Sequence, residues 1–242
     1  FTEIFNKLEL VYTTKQNNIV NEFYVPSLSR AVSYDRVTGF FSSTALSIAA
    51  RGISKFLLNP DAQMRMIVST KGFQRDDEIE KIYDVELDVI AEFNKVFQKD
   101  INVLEDLIVK KRIAALGWLL KTGRLKIKVA KMNAFQNEQG ILHSKFGILT
   151  DQEGHQICFS GSINESQTGW KVNGEVISVY KSIVEGQLEY IKRYCKEFED
   201  YWNNDVSGTE VIELPVAIKN RIISYSSCYE IKDIISSIDP ET

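Results

Sequence analysis

The chain has 242 residues, 44% hydrophobic and 26% charged, an ordinary globular composition that fits one large domain or a core domain with a small appendage. A formal net charge of −4 gives no overall basic field for nucleic acid, and no apolar run reaches the roughly 18 to 20 residues needed to span a bilayer. Three widely spaced cysteines (Cys158, Cys195, Cys228) and only two histidines (His143, His155) exclude a disulfide framework and a histidine-rich metal site, and fit a reducing cytoplasm.

The first residues, Phe1-Thr2-Glu3-Ile4, carry neither an initiator Met nor the basic-then-apolar pattern of a signal peptide, as expected of a piece of a longer protein. Ile4, Phe5, Leu8 and Val11 fall at helical spacing and predict a helix over 2–11. Residues 37–41 read as a buried strand running into Ser42, Ser43 and Thr44, capping residues that open a helix to about Leu58. Asn59-Pro60-Asp61 is a turn, and 64–70 is the next strand. Helices are expected over 76–99 and 103–121, with Gly123 as the stop. Residues 125–130 alternate as a strand with one wet face. Residues 142–149, a turn at 151–154 and a strand over 156–159 predict a hairpin. A strand from Glu175, an amphipathic helix over 184–202, a strand at 211–214 and two short helices complete the chain. This order predicts an α/β fold, a mixed, largely parallel sheet sandwiched between helices. The boundary is expected near Asp205, with 206–242 a C-terminal helical extension or a linker.

Charge is unevenly spread. Residues 76–106 are rich in Asp and Glu and read as solvated helix faces. From Lys110 to Lys131 the sign reverses, with eight basic residues and no acid. Lys121, Arg124, Lys126, Lys128 and Lys131 from this block either coat a solvated surface or track the phosphates of a nucleic acid.

The stretch that carries chemistry is Leu142-His143-Ser144-Lys145, followed by Gly161-Ser162-Ile163-Asn164 and then Glu175. Residues two apart on a strand project from the same face, so His143 and Lys145 aim at one surface. An imidazole beside a fixed ammonium suits a phosphate. Histidine can attack phosphorus, and lysine can stabilise charge on the equatorial oxygens. Ser162 and Asn164, at a strand-to-helix turn, offer donors to the same phosphate, and Glu175 can hold a histidine in the required tautomer. Each of these residues alone is an ordinary core or turn residue; their order and spacing together point to a site.

His143-x-Lys145 followed by Gly161-Ser162-x-Asn164 resembles the signature of the phospholipase D superfamily, and Glu175 resembles the downstream acid of its single-motif nucleases. Phe40-Phe41 early and Asn173-Gly174-Glu175 late are similar to nuclease domains attached to helicases and restriction systems. The resemblance implies hydrolysis without metal or other cofactor and a phosphohistidine intermediate on His143. Where the family usually has Asp seven residues after its histidine, this chain has Thr150. Asp151, one place on, faces the other way on a strand.

The resemblance also implies two histidines flanking the phosphorus, one attacking and one protonating the leaving oxygen. His155 lacks a lysine two residues on, so a homodimer is expected in which both subunits contribute His143, Lys145, Ser162, Asn164 and Glu175. DNA is the expected substrate and a helicase or ATPase domain elsewhere in the protein an expected partner; no membrane association is expected. A catalytically silent DNA-binding module and, further down, a lipid phosphodiesterase are the alternatives.

Overall fold

The protein is described by a computed structural model covering residues 1–38, 53–69, 90–91, 107–132, 134–135, 138–139, 142, 144–162 and 175–238. Eight strands form one sheet: β1 (Val11–Thr13), β2 (Ser33–Thr38), β3 (Gln63–Ser69), β4 (Leu125–Met132), β7 (Phe146–Thr150), β8 (Gln156–Gly161), β9 (Val176–Lys181) and β10 (Thr209–Glu213). Their spatial order is β1-β9-β8-β7-β2-β3-β4-β10. Two further two-residue strands, β5 (Ala134–Phe135) and β6 (Glu138–Gln139), pair separately.

Alternation along the strands gives the sheet two faces, each covered by helices. One face buries Tyr34, Met64, Met66, Val68, Ile127, Leu149, Ile157, Phe159 and Val179. Over it lie α3 (Ile53–Leu58), α4 (Leu107–Lys121), α6 (Val216–Ser226) and α7 (Ile231–Ile238), which add Phe56, Leu116, Leu119, Ile218, Ile222 and Ile234 to the same core. The chain's start contributes α1 (Thr2–Phe5) and α2 (Val25–Leu28) to that side. The opposite face buries Val37, Ile67, Phe146, Ile148 and Cys158 under α5 (Leu188–Trp202), whose Ile191 and Phe198 point inward at a seven-residue spacing.

The α/β class, the mixed sheet and its helical covering are as the sequence predicts. The proportion of parallel pairing is not: only β2–β3 and β3–β4 run parallel, while the other five pairings of the large sheet are antiparallel. Short hairpin connections such as 151–155 leave no room for the crossover a parallel pair requires. The expected helix over 2–11 stops at Phe5, because Val11 pairs with Ser178 on β9 and Lys181 Nζ donates to the carbonyls of Phe5 and Leu8. Residues 206–238, expected as an extension, supply edge strand β10 against β4 and bury Leu214 in the main core alongside the α6 and α7 residues. A boundary near Asp205 therefore has no counterpart in the packing. The helices expected from Ser42 and over 76–99 lie outside the described residues, apart from α3.

Candidate active site

Four adjacent strands end together at one edge of the sheet: the C-termini of β2 and β8 and the N-termini of β7 and β9. Lys145 immediately precedes β7, and its carbonyl accepts a hydrogen bond from Gly161 N at 3.1 Å, so the ladder continues through it. Ser162 follows β8, and Glu175 precedes β9. Ser162 N donates to Val176 O at 3.1 Å and Val176 N donates to Ser162 Oγ at 3.1 Å, closing the strand ends reciprocally. Glu175 is held from its other side by Thr14: Glu175 N donates to Thr14 Oγ1 at 2.9 Å, and Thr14 N donates to Glu175 O at 3.1 Å.

Lys145 and Glu175 share the α4 face of the sheet. Ser144 points the other way, toward Tyr201 on α5, with which it hydrogen-bonds. Gly161 stands between Lys145 and β9 with no side chain. A Cβ there would lie 2.0 Å from Val176 O, so only glycine allows this close approach. Lys145 is 4% exposed and Glu175 9%. Burial lowers the pKa of Lys145, the nearby Arg36 guanidinium lowers it further, and the Glu175 carboxylate acts in the opposite sense. His143 and Asn164 lie outside the described residues; the former is flanked by Leu142 and Ser144, the latter follows Ser162 by two positions. Among the described residues, then, the fold brings Lys145, Ser162 and Glu175 to one corner, a cationic, hydrogen-bonding environment suited to an anion.

Other candidates are placed elsewhere. His155 sits in the β7–β8 turn, its Nδ1 3.3 Å from Asp151 and 3.2 Å from Glu153. The five residues of β7 separate that turn from Lys145, roughly 20 Å at the usual rise. Asp151 is buried in the same turn, where Oδ1 accepts from Glu153 N and His155 N and Oδ2 meets the Phe1 ammonium. It is a turn residue, not a stand-in for the family's aspartate. Asp151, Glu153 and His155 are also the one cluster among the described residues with the ligand spacing of a metal site, and it lies at the end of β7 away from Lys145.

The basic block is dispersed. Arg124, expected to contact nucleic acid, is only 7% exposed, and its guanidinium donates to the carbonyls of Phe56, Leu57, Asn59 and Ala62. It clamps the end of α3, with four of its five N–H donors engaged by main-chain carbonyls. Lys128 donates to Trp202 O at 2.9 Å and pairs with Glu213 at 3.2 Å on the α5 face. Lys126 is exposed on that same face, and Lys121 is exposed at the end of α4. Only Lys131 shares both the face and the sheet edge of Lys145, by its register opposite Glu210.

Sequence reading missed Arg36. It lies on β2 with its Cα opposite Gly147, is 1% exposed, and places its guanidinium 4.8 Å from the centre of the Phe159 ring. A charged residue inside an apolar strand (Tyr34, Val37) was the available signal, since such residues are almost never fully buried without cause.

The sheet order and this corner define an α/β domain with a lysine, a serine and a glutamate gathered at one sheet edge. Residues 85–202 match the family model described as the PLD-like domain of cardiolipin synthase. Among solved structures it is similar to NucT from Helicobacter pylori (16% identity, 78% of this chain and 94% of that one, TM-score 0.44). It is also similar to Nuc, a phospholipase D family member from Salmonella typhimurium (10% identity, 84% and 97%, TM-score 0.44). A third likeness is to a variant of yeast tyrosyl-DNA phosphodiesterase 1 (10% identity, 81% and 35%, TM-score 0.37). With TM-scores below 0.5 these likenesses add no weight beyond the matched segment. No curated protein sequence matches the chain significantly.

Proposed function

We propose that the chain is a phosphodiesterase of the nuclease kind, a DNA endonuclease whose nucleophile is His143 and whose site is shared by two subunits. The observation that carries this reading is the gathering of Lys145, Ser162 and Glu175 at one sheet corner, Lys145 following His143 by two positions in the sequence, while His155 lies at the opposite end of β7. A ring nitrogen of His143 attacks phosphorus and the P–O bond to the leaving oxygen breaks. The second subunit's His143 gives that oxygen its proton. The same imidazole then takes a proton from water, whose oxygen displaces the first His143 and releases the phosphate ester. Lys145 offsets charge on the non-bridging oxygens and Ser162 adds a donor. Glu175 fixes a histidine tautomer. The resemblance of His143-x-Lys145, Gly161-Ser162-x-Asn164 and Glu175 to the motif of single-motif nucleases supports chemistry that needs no metal and DNA as substrate.

Plasmid cleavage in EDTA tests this reading: the wild-type chain cleaves, and His143→Ala does not. Differently tagged wild-type and His143→Ala chains, co-purified as heterodimers, are expected to be inactive; turnover above background refutes a shared site. A crystal soaked in tungstate is expected to hold one anion between two His143 rings. No plasmid cleavage alongside retained DNA binding would favour a silent module, and hydrolysis of phosphatidyl vesicles would favour the lipid reading. Among the described residues no helix is long and apolar enough to cross a membrane. A helicase-linked or restriction role belongs to the same reading and is tested by the activity of the full-length protein.

A further inference from the structure

One polar group at the site's edge of the sheet is left over by the fold. Thr38, the last residue of β2, is 0% exposed, and its Oγ1 has no hydrogen-bond partner among the described residues. Burying a hydroxyl in that state is costly, and such groups are few in folded proteins. Valine differs little from threonine in shape and would fill the position without that cost. The orphaned hydroxyl therefore points to a partner that arrives from outside the fold.

Its position in the sheet says which kind of partner. Val37 pairs with Phe146, so the next place along the ladder sets Thr38 beside Lys145. Thr38 lies on the α4 face with it, four residues on from Tyr34 of that core. Facing Cβ atoms on antiparallel strands stand about 4.5 to 5.5 Å apart, so an ion that touches the lysine is within reach of the hydroxyl. On its other side Thr38 is in register with Val68, which is apolar. The preceding residue of β2 on that face is Arg36. Whatever Lys145 and Arg36 bond to elsewhere, an ammonium and a guanidinium carry no acceptor atom, so neither can take the Thr38 proton. What this position lacks is an acceptor, and the acceptor that settles beside a lysine is the oxygen of an anion. Enclosure does not set Thr38 apart from the site, because Lys145 is itself only 4% exposed.

We infer that Thr38 is a phosphate-binding residue of this site, its hydroxyl donating to one non-bridging oxygen of the phosphodiester while Lys145 meets another. This role rests on the phosphodiesterase reading and brings to it a donor from β2, outside the histidine motif.

The test is tungstate titration by calorimetry on the whole chain, with thermal unfolding measured without anion. Thr38→Val removes the hydroxyl and nearly keeps the shape. Its tungstate dissociation constant should rise about tenfold or more, the usual worth of a hydrogen bond to a charged group. Its melting temperature without anion should stay level or rise, because no partner within the protein is lost. Thr38→Ser, which keeps the hydroxyl, should bind tungstate as wild type does. Tungstate affinity equal to wild type in Thr38→Val overturns the inference. A Thr38→Val chain that melts earlier, or does not fold, overturns it as well, by showing the hydroxyl to be tied within the protein. Lys145→Met separates the two levels. If it weakens tungstate binding while Thr38→Val does not, only the role of Thr38 falls. If wild type binds no tungstate, the phosphate-site reading falls with it.

Discussion

Two arginines on neighbouring strands, Arg36 and Arg65, occupy opposite faces of the sheet and meet opposite electrostatic company. Arg65 is surrounded by acids: both its Nε and one terminal nitrogen donate to Asp35 at 2.7 Å, and that nitrogen also meets Glu199 at 2.7 Å. Phe198 and Trp202 of α5 lie within 4.7 and 5.3 Å of its guanidinium. The hydrogen bonds it donates to Asp35, the largest influence, hold its pKa above the ordinary arginine value. Arg36 instead lies near enough to Lys145 for its charge to lower the lysine's pKa. The acids around Arg65 tie α5 to the sheet, whereas Arg36 stacks on Phe159 beside the lysine of the candidate site.

The comparison is broken most directly at Lys145. Lys145→Met should lower the plasmid cleavage rate by about 10²–10³, the usual effect of removing one group that stabilises transition-state charge. The folded state should remain at least as stable as wild type by thermal unfolding. Arg65→Ala should do the reverse. Losing a partly buried pair and leaving Asp35 without its main partner should cost about 2 kcal/mol in urea unfolding, while cleavage per folded molecule stays within about twofold. If Arg65→Ala abolished cleavage without destabilising the protein, the division between the faces would be wrong.

pH sharpens the contrast, because the pKa of Lys145 is lowered in the folded state. Between that value and the ordinary lysine value the unfolded chain binds more protons, so this group's contribution makes stability rise with pH. Over the same window Lys145 loses the proton that phosphate binding needs, so cleavage should fall. Opposite trends in melting temperature and rate on the alkaline side, the former absent in Lys145→Met, are the expected signature. The smallest effect concerns the dispersed basic block: Lys131→Ala should weaken DNA binding several-fold in a gel-shift assay, and Lys126→Ala by less than about twofold.

Much of this was legible in the sequence because it depends on local pattern. The β7–β8 hairpin, the Gly123 stop and the amphipathic α5 follow from periodicity and turn chemistry, and Lys145 and Glu175 fall at strand starts, those of β7 and β9 on either side of β8. What was not legible depends on pairing between distant segments. Val11 looks helical by spacing until β9 supplies a ladder for it. Arg124 looks like one of a run of phosphate-binding cations until four carbonyls from 56–62 are folded around it. Arg36 lies more than a hundred residues from His143, and nothing in its own neighbourhood announces that β2 will lie beside β7.

That separation has a consequence for how the activity can be isolated. The recognisable signature occupies 85–202, yet β2, which pairs with β7, β3 beyond it, and β1, which braces Glu175 through Thr14, all precede it. A polypeptide trimmed to the signature would expose the raw edges of β7 and β4 to the solvent and invite self-association. The portable unit is the entire layered body, and the histidine motif is only its most conspicuous part.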